Sequence, residues 1–579
     1  MTLTLLNAAG NPVDGDEITG GVQLVTAVTA LDGTYSFNSL IPGSYGVRED
    51  QPPGYDSVSD RDGDDPDEIR PIVVTAGNPN TGNDFIERRD TCPDDWNEWK
   101  LLHPAETPAG NPDADAYDNL AEFAFAMPYN AGTGSGWLGA TAWVIRPSTL
   151  GPGTIEGVFV RPKGAPANVT YSLQYAAVPG NPTSWQTLVL TPGLFSTADN
   201  GDCTETVTLH DLEALTGLAD GRGVVRIRVD LDDDGGGNGD IDHTSHTETE
   251  GWTVTGLEIC CRTYNNPYQR ESVFTGTVTA VSGQDLAFAP ADNLGTLLPP
   301  GGSFYLEVVS GDHEGQRFDL VSAAGNSVTL ANDGDPHAAI APFNTLAGPP
   351  PAGLTGDRVA IRRHWTLGEV FPVSGLGASG SQSSADQIQI YAGGAWTIYW
   401  LFDGNDGIPP TARWVDVADA AMADRGGVVL PPGQGVFFNN KFQVSSILAY
   451  GEVRANNFVR PHAPGNNLVG GGYPLDQSPN GPRGRAMNPA AGFFGSTNFK
   501  TADSIFVWKA DTVIGAPGYD TYYLLGGVSS QPALTRWIKV GDASIVSRDV
   551  ETVLSGNRSV ITRTAGAVPA HTVPTPWIP

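Results

Sequence analysis

Residues 377–402, GASGSQSSADQIQIYAGGAWTIYWLF, and the ARWVDVADA that follows at 412–420 are rich in the β-branched and aromatic residues that suit a pleated, half-buried surface. They are answered further on by GSTNFKTADSIFVWKADTVIG at 495–515, YDTYYLL at 519–525 and TRWIKVGDA at 535–543. Asp386 and Asp503 stand 117 residues apart, and Trp414 and Trp537 stand 123 apart. NNLVGGGYPLD at 466–476 likewise echoes WTLGEVFPVSG at 365–375. The spacing predicts two tandem copies of one β unit, the first at 366–470 and the second, with a C-terminal tail, at 471–579. The residues after the second copy, 559–579, find no counterpart in the first and end in prolines at 569, 574, 576 and 579.

The rest of the chain reads the same way. Its 579 residues have room for several domains, and 72 glycines and 45 prolines beside 40% hydrophobic residues fit many turns between short, packed strands. Strand runs such as GTIEGVFVRP, VTYSLQYAAV and GVVRIRVDL predict a β-sandwich or jelly-roll over 133–265. Hairpin signals at Ser282-Gly283 and Gly325-Asn326 predict a small β-barrel over 266–365. At 89–132 the pattern changes to WNEWKLL and DNLAEFAFAM, where Leu120, Phe123 and Phe125 suit a short helix. The expected class is mostly β, a multidomain chain of β-sandwich and small β-barrel modules with one calcium-loop and helix segment. A net charge of −33 has the wrong sign for a nucleic-acid partner, and no apolar stretch approaches a membrane span or signal peptide.

Residues 1–88 alternate aromatic and β-branched with polar residues between turns at Asp32-Gly33, Pro42-Gly43 and Pro53-Gly54. The string DGTYSFNSLIPGSYGVREDQPPGY, with SVSDRDGDD and GNDF after it, resembles the B-type repeat of SdrD-like surface adhesins, related to the collagen-adhesin B domain. The resemblance implies a β-sandwich lacking its first strand, with TLTLL at an open edge that another chain would fill. The candidate donor is the tail 559–579 of a neighbouring subunit. The isopeptide crosslink of related domains cannot form inside this module, because its first lysine is Lys100. Residues 266–579 resemble a family of uncharacterised secreted bacterial β-proteins with tandem Trp-rich repeats, which implies secretion and a β fold without an activity.

Three acidic segments are candidate calcium sites. In NPDADAYDNLAE, Asn111, Asp113, Asp115, Tyr117, Asn119 and Glu122 fall on positions 1, 3, 5, 7, 9 and 12 of an EF-hand-like loop; the alternative is an Asx-rich helix cap. Asp60, Asp62, Asp64 and Asp67 form a second group, and Asp230, Asp232, Asp234, Asp240 and Asp242 a third among glycines, whose alternative is a solvated acidic turn. Cys92, Cys203, Cys260 and Cys261 show no CxxC spacing. Adjacent cysteines bridge poorly, so Cys92 and Cys203 are each expected to reach one member of the 260/261 pair in an oxidising compartment; four reduced core thiols are the alternative.

The chain lacks HExxH, Walker A and GxSxG motifs, and no enzyme activity is expected. Trp396, Tyr399 and Trp400, and Tyr519, Tyr522 and Tyr523, are either alternating strand core or sugar-stacking platforms. Three function classes follow. The first is an extracellular or cell-surface structural or adhesive protein, calcium-stabilised and self-assembling head to tail through β-strand edges into a filament or stalk. The second is a carbohydrate-binding accessory protein in contact with polysaccharide. The third is a hydrolase with a dispersed carboxylate pair.

Overall fold

The computed structural model describes the chain outside residues 16–22, 31–32, 51–54, 64, 90–94, 113–116, 128–141, 149–153, 167, 178–184, 219–220, 233–240, 242, 258–259, 290–292, 332–349, 393, 406–410, 442–444, 476–477, 480–486, 488, 510–517, 527–534, 542–559, 567 and 574–579. At 56, 88–89, 101–102, 256–257, 260–261, 445 and 569–570 only the backbone is described. The fold is mostly β, with 48% strand and 8% helix. No helix among the described residues is long and apolar enough to cross a membrane. Two compact units emerge, one of 1–106 with 162–168 and one of 107–161 with 169–579.

In the first unit the strands Thr26–Val28, Thr2–Asn7, Gly43–Asp50 and Glu68–Val74 form one sheet in that order, and Tyr55–Asp60 pairs with Phe85–Arg89 in a second. Leu3, Leu5, Val47, Ile69 and Ile72 point to one side, where Tyr35 and Phe85 pack on them. The expected open edge at TLTLL is not there. Thr2–Asn7 pairs antiparallel with Thr26–Val28 on one side and Gly43–Asp50 on the other, because residues 23–28 fold back against it. The helix Trp96–Leu102 is capped by Asp95, whose carboxylate accepts the Glu98 N–H at 2.9 Å.

The second unit contains a sandwich. One sheet runs Gln186–Val189, Val169–Ala176, Arg222–Leu231, Glu250–Leu257, Ser445–Glu452; the other runs Ser196–Asp199, Thr204–Leu209, Ile155–Pro162, Trp143–Pro147. Phe159 and Tyr171 stack between the two, 5.7 Å apart. A seven-stranded sheet over 272–363 coils around a core of Phe274, Leu286, Leu306, Phe318, Val328 and Ile361. Its hairpins turn at Gly283 (φ 63°) and Gly325 (φ 56°), positions that favour glycine.

Two further five-stranded sheets match strand for strand. One has the order Cys260–Tyr264, Val436–Asn440, Gln387–Ala392, Ala395–Phe402, Arg413–Asp416; the other Gly465–Val469, Val560–Thr564, Ser504–Lys509, Gly518–Leu525, Arg536–Lys539. Registers coincide as well: Gln387 faces Trp400 as Ser504 faces Tyr523, and Leu401 faces Trp414 as Leu524 faces Trp537. Buried Asp386 accepts the N–H groups of Gly377 and Lys441, each at 2.7 Å, while buried Asp503 accepts those of Phe494 and Ala565 at 2.8 and 2.7 Å. The Trp414 indole donates to the Phe371 carbonyl and the Trp537 indole to that of Met487.

This pairing redraws two expectations. Glu250–Leu257 pairs along its length with Ser445–Glu452, and Cys260–Tyr264 with Val436–Asn440, so strands cross the boundaries expected at 265 and 365, and the 272–363 sheet is inserted between them. The tail is no free donor either. Val560–Thr564 fills an interior place in its own sheet, with Val560, Thr562 and Thr564 buried, and Val568–Val573 pairs with Phe458–His462. Asp503→Ala, and separately Asp386→Ala, should each destabilise the protein by about 1–3 kcal/mol, since two partly buried hydrogen bonds are lost at roughly 0.5–1.5 kcal/mol apiece. Urea denaturation followed by tryptophan fluorescence measures it; losses below about 0.5 kcal/mol would show that these carboxylates do not lock the sheets.

Candidate functional site

The sequence-selected acidic residues meet different fates. Around 60–67, Asp60 accepts the Asp62 and Gly63 N–H groups at 3.1 and 2.7 Å, Asp62 accepts the Arg70 N–H at 2.6 Å, and Asp67 accepts from the Ser57 hydroxyl. The Asp60 bonds are turn-forming bonds of the Asx kind, while those of Asp62 and Asp67 tie the turn to its flanking strands. Asp64 lies outside the described residues, as do Asp113, Asp115, Asp234, Asp240, Asp242 and Cys92.

Residues 117–124 and 243–246, far apart in sequence, come together. The short helix Asn119–Ala124 packs on His243–His246 and Arg222–Leu231. Its N-cap is Asp118, which sequence reasoning passed over because it falls on position 8 of the loop pattern. The Asp118 carboxylate accepts the Ala121 N–H at 3.0 Å, meets His243 Nε2 at 2.9 Å and accepts the Ser245 hydroxyl at 2.5 Å. An Asp immediately before an apolar helical run is the signal that finds it. Asp230 accepts from Arg228 Nε at 2.8 Å and Thr244 Oγ1 at 2.6 Å, and Asp232 follows at the strand end. Asn111 is exposed. Asn119 is buried and donates through Nδ2 to the Thr107 carbonyl at 2.8 Å, Glu122 is buried in the helix, and Tyr117 donates to Glu248 while accepting the Ala142 N–H at 2.7 Å. Among the described residues no group of three or more His, Cys, Asp or Glu side chains is placed to hold a metal ion. A calcium sphere here would have to draw on the aspartates outside the described residues. Cys203 is disulfide-bonded, and of Cys260 and Cys261 only the backbone is described.

Tyr117 leads into a buried ionic seam that no motif announced. Arg362 grips Glu452 through two bonds of 2.5 Å, and Arg454 pairs with Glu307, which also accepts from Gln269 and, at 3.2 Å, from Asn456. His364 Nε2 meets Asp319 at 2.7 Å, and Arg317 donates to the Val459 and Pro432 carbonyls at 2.7 and 3.1 Å. The guanidinium groups of Arg317, Arg454 and Arg460 lie 4.3, 4.6 and 5.7 Å from the Phe458 ring centroid. Burial pulls Arg317 down to about 10 and Arg460 to about 9, which leaves both charged at neutral pH.

Two carboxyls next to the Arg362–Glu452 pair hold their protons more tightly than ordinary glutamates do. Burial first, and the Glu452 charge second, push Glu248 up to about 8, and the same two causes hold Glu250 well above its ordinary range. One oxygen of each, Glu248 Oε2 and Glu250 Oε1, is buried without a hydrogen-bond partner. A raised carboxyl is a general-acid signature when it opens on a cleft. The cavity lined by Tyr264, Tyr268, Trp365, Phe371 and Gln434 includes neither glutamate.

Below about pH 4.5 Glu248 holds its proton in folded and unfolded chains alike. Between about 4.5 and 8 only the folded chain keeps it, so stability falls as pH rises through that window. Glu248→Gln should remove one proton's share of this slope, about 1.4 kcal/mol per pH unit. Urea titrations at pH 5, 6.5 and 8 measure it, and identical pH slopes in the two proteins would contradict the assignment. Comparison with known proteins gives no match, whether to family models, to curated proteins or to solved structures.

Proposed function

We propose that this is an extracellular structural or adhesive protein that assembles through its open strand edges. The observation that carries the reading is the shared strand Ser445–Glu452. It belongs by sequence to the region after the inserted sheet, yet it completes the sandwich sheet beside Glu250–Leu257, and its last residue, Glu452, is clasped by Arg362 from the insertion. Modules that share a strand and a buried ion pair resist being pulled apart one by one, as a load-bearing surface protein requires. The disulfide at Cys203 supports an oxidising compartment, and the SdrD-like string at 1–88 and the Trp-rich units beyond 266 support a secreted surface setting. The two matching sheets support a duplicated unit.

With the tail engaged in its own chain, assembly falls to other edges, such as the exposed strand Ser196–Asp199 or Glu68–Val74. Calcium enters as a stabiliser, through the aspartates of 111–122 and 230–242. Binding only to the folded chain would add about 2.7 kcal/mol at a hundredfold excess over Kd. Calcium should therefore raise the melting temperature, and chelator lower it, while negative-stain microscopy of concentrated protein with calcium shows head-to-tail fibres. An unchanged melt with no metal by elemental analysis removes calcium from the reading, and monomers at every concentration remove the filament.

A further inference from the structure

We propose that an aromatic strip crossing the two matching sheets binds an anionic polysaccharide; this names the target of the adhesive reading above and rests on it. In each sheet the strands that follow Asp386 and Asp503 place two rings directly opposite one another near a hairpin end: Tyr391 faces Trp396, and Trp508 faces Tyr519. Their centroids are 5.1 and 4.9 Å apart. Phe437 bridges the pairs, 6.5 Å from Trp396 and 5.2 Å from Trp508, so five rings run without a break from one sheet to the other.

Cross-strand aromatic pairing stabilises a hairpin and accounts for contact within each pair. It does not account for exposure at corresponding positions. Trp396 is 44% exposed and Tyr519 42%, although Trp414 and Trp537 from the same sheets are buried. The cores use the alternate residues, Ile388 and Ile390 in one sheet and Ile505 in the other, on the opposite face. Neighbouring rings in the strip are inclined by 59° to 83°; Trp396 and Tyr519 carry the exposed ring surface, one in each sheet, and the buried Phe437 joins the two pairs between them.

Charge selects the class of glycan. Residues 465–579 hold nine Lys and Arg against seven Asp and Glu, a net +2, in a chain whose total is −33. Beside the strip the Arg563 guanidinium lies 5.7 Å from the Phe506 ring, itself 6.3 Å from Tyr519. Arg563 makes no ion pair among the described residues; it donates to the Ser504 hydroxyl and the Lys500 carbonyl. The carboxylate of Asp520 lies between two ammonium groups, those of Lys509 and Lys539, at 2.8 and 2.9 Å. A uronate-bearing chain is attracted here and repelled by the acidic remainder of the molecule.

Calorimetric titration of the full chain with sodium polygalacturonate, and with uncharged dextran as control, tests this. Polygalacturonate should bind and dextran should not. Trp396→Ala and Tyr519→Ala should each weaken binding about tenfold, Trp396→Phe should retain most of it, and Arg563→Gln should weaken it and reduce its dependence on salt. No binding of polygalacturonate, equal binding of dextran, or unchanged affinity in Trp396→Ala and Tyr519→Ala proteins that melt like the parent would overturn the proposal. Fibre formation is read separately, so loss of one result leaves the other standing.

Discussion

The buried pairing of Arg362 with Glu452 is the contact on which the second unit depends. Arg362 comes from the inserted seven-stranded sheet and Glu452 from the strand that completes the sandwich, and both side chains are almost wholly out of water. Taking two such charges from solvent is costly, and a buried pair is weak evidence of net stabilisation against an apolar substitute. Its consequence is specificity. Losing either partner strands the other, at a cost of about 3–5 kcal/mol, so the insertion is held in one position. Glu307 with Arg454, fully buried beside it, repeats the device from the neighbouring strand of the insertion. The same surroundings, burial first and the Glu452 charge second, raise the carboxyls of Glu248 and Glu250 above the usual glutamate range.

The matching sheets show a second way of using buried charge. Among the described residues neither Asp386 nor Asp503 forms a salt bridge; each is an acceptor for two N–H groups from segments that flank its strand. Each carboxylate thereby ties a loop before the central strand to the chain leaving the next one. The shared registers extend this from two residues to a whole architecture. Cys260–Tyr264 stands where Gly465–Val469 stands in the other sheet, although almost the whole inserted sheet lies between it and its partners in the chain.

Much of this was legible in the sequence. Asp386 with Asp503 and Trp414 with Trp537 marked equivalent positions because a buried acceptor and a buried indole donor are demanded by backbone geometry, which both copies retain. The hairpins at Gly283 and Gly325 were readable because their turns need positive φ. The edge strand at 260–264 was not, since pairing over more than a hundred residues leaves no local trace. The same limit hid the fate of the tail, whose strand Val560–Thr564 pairs inside its own sheet rather than with a neighbouring subunit. At the acidic segments, the loop spacing missed Asp118, whose contacts depend on His243 and Ser245 arriving from a distant strand. The ionic seam joins single residues from separate modules and carries no spacing to recognise.

The central claim is that shared strands and buried pairs make the sandwich, the inserted sheet and the first five-stranded sheet one cooperative body. Native-state hydrogen exchange with peptide-level mass spectrometry, at increasing urea, tests it most directly. The account predicts that amides of Glu250–Leu257, Arg358–Arg363, Val436–Asn440 and Ser445–Glu452 lose protection together, in one opening event. Loss of protection in Arg358–Arg363 at urea concentrations where Glu250–Leu257 remains fully protected would contradict it.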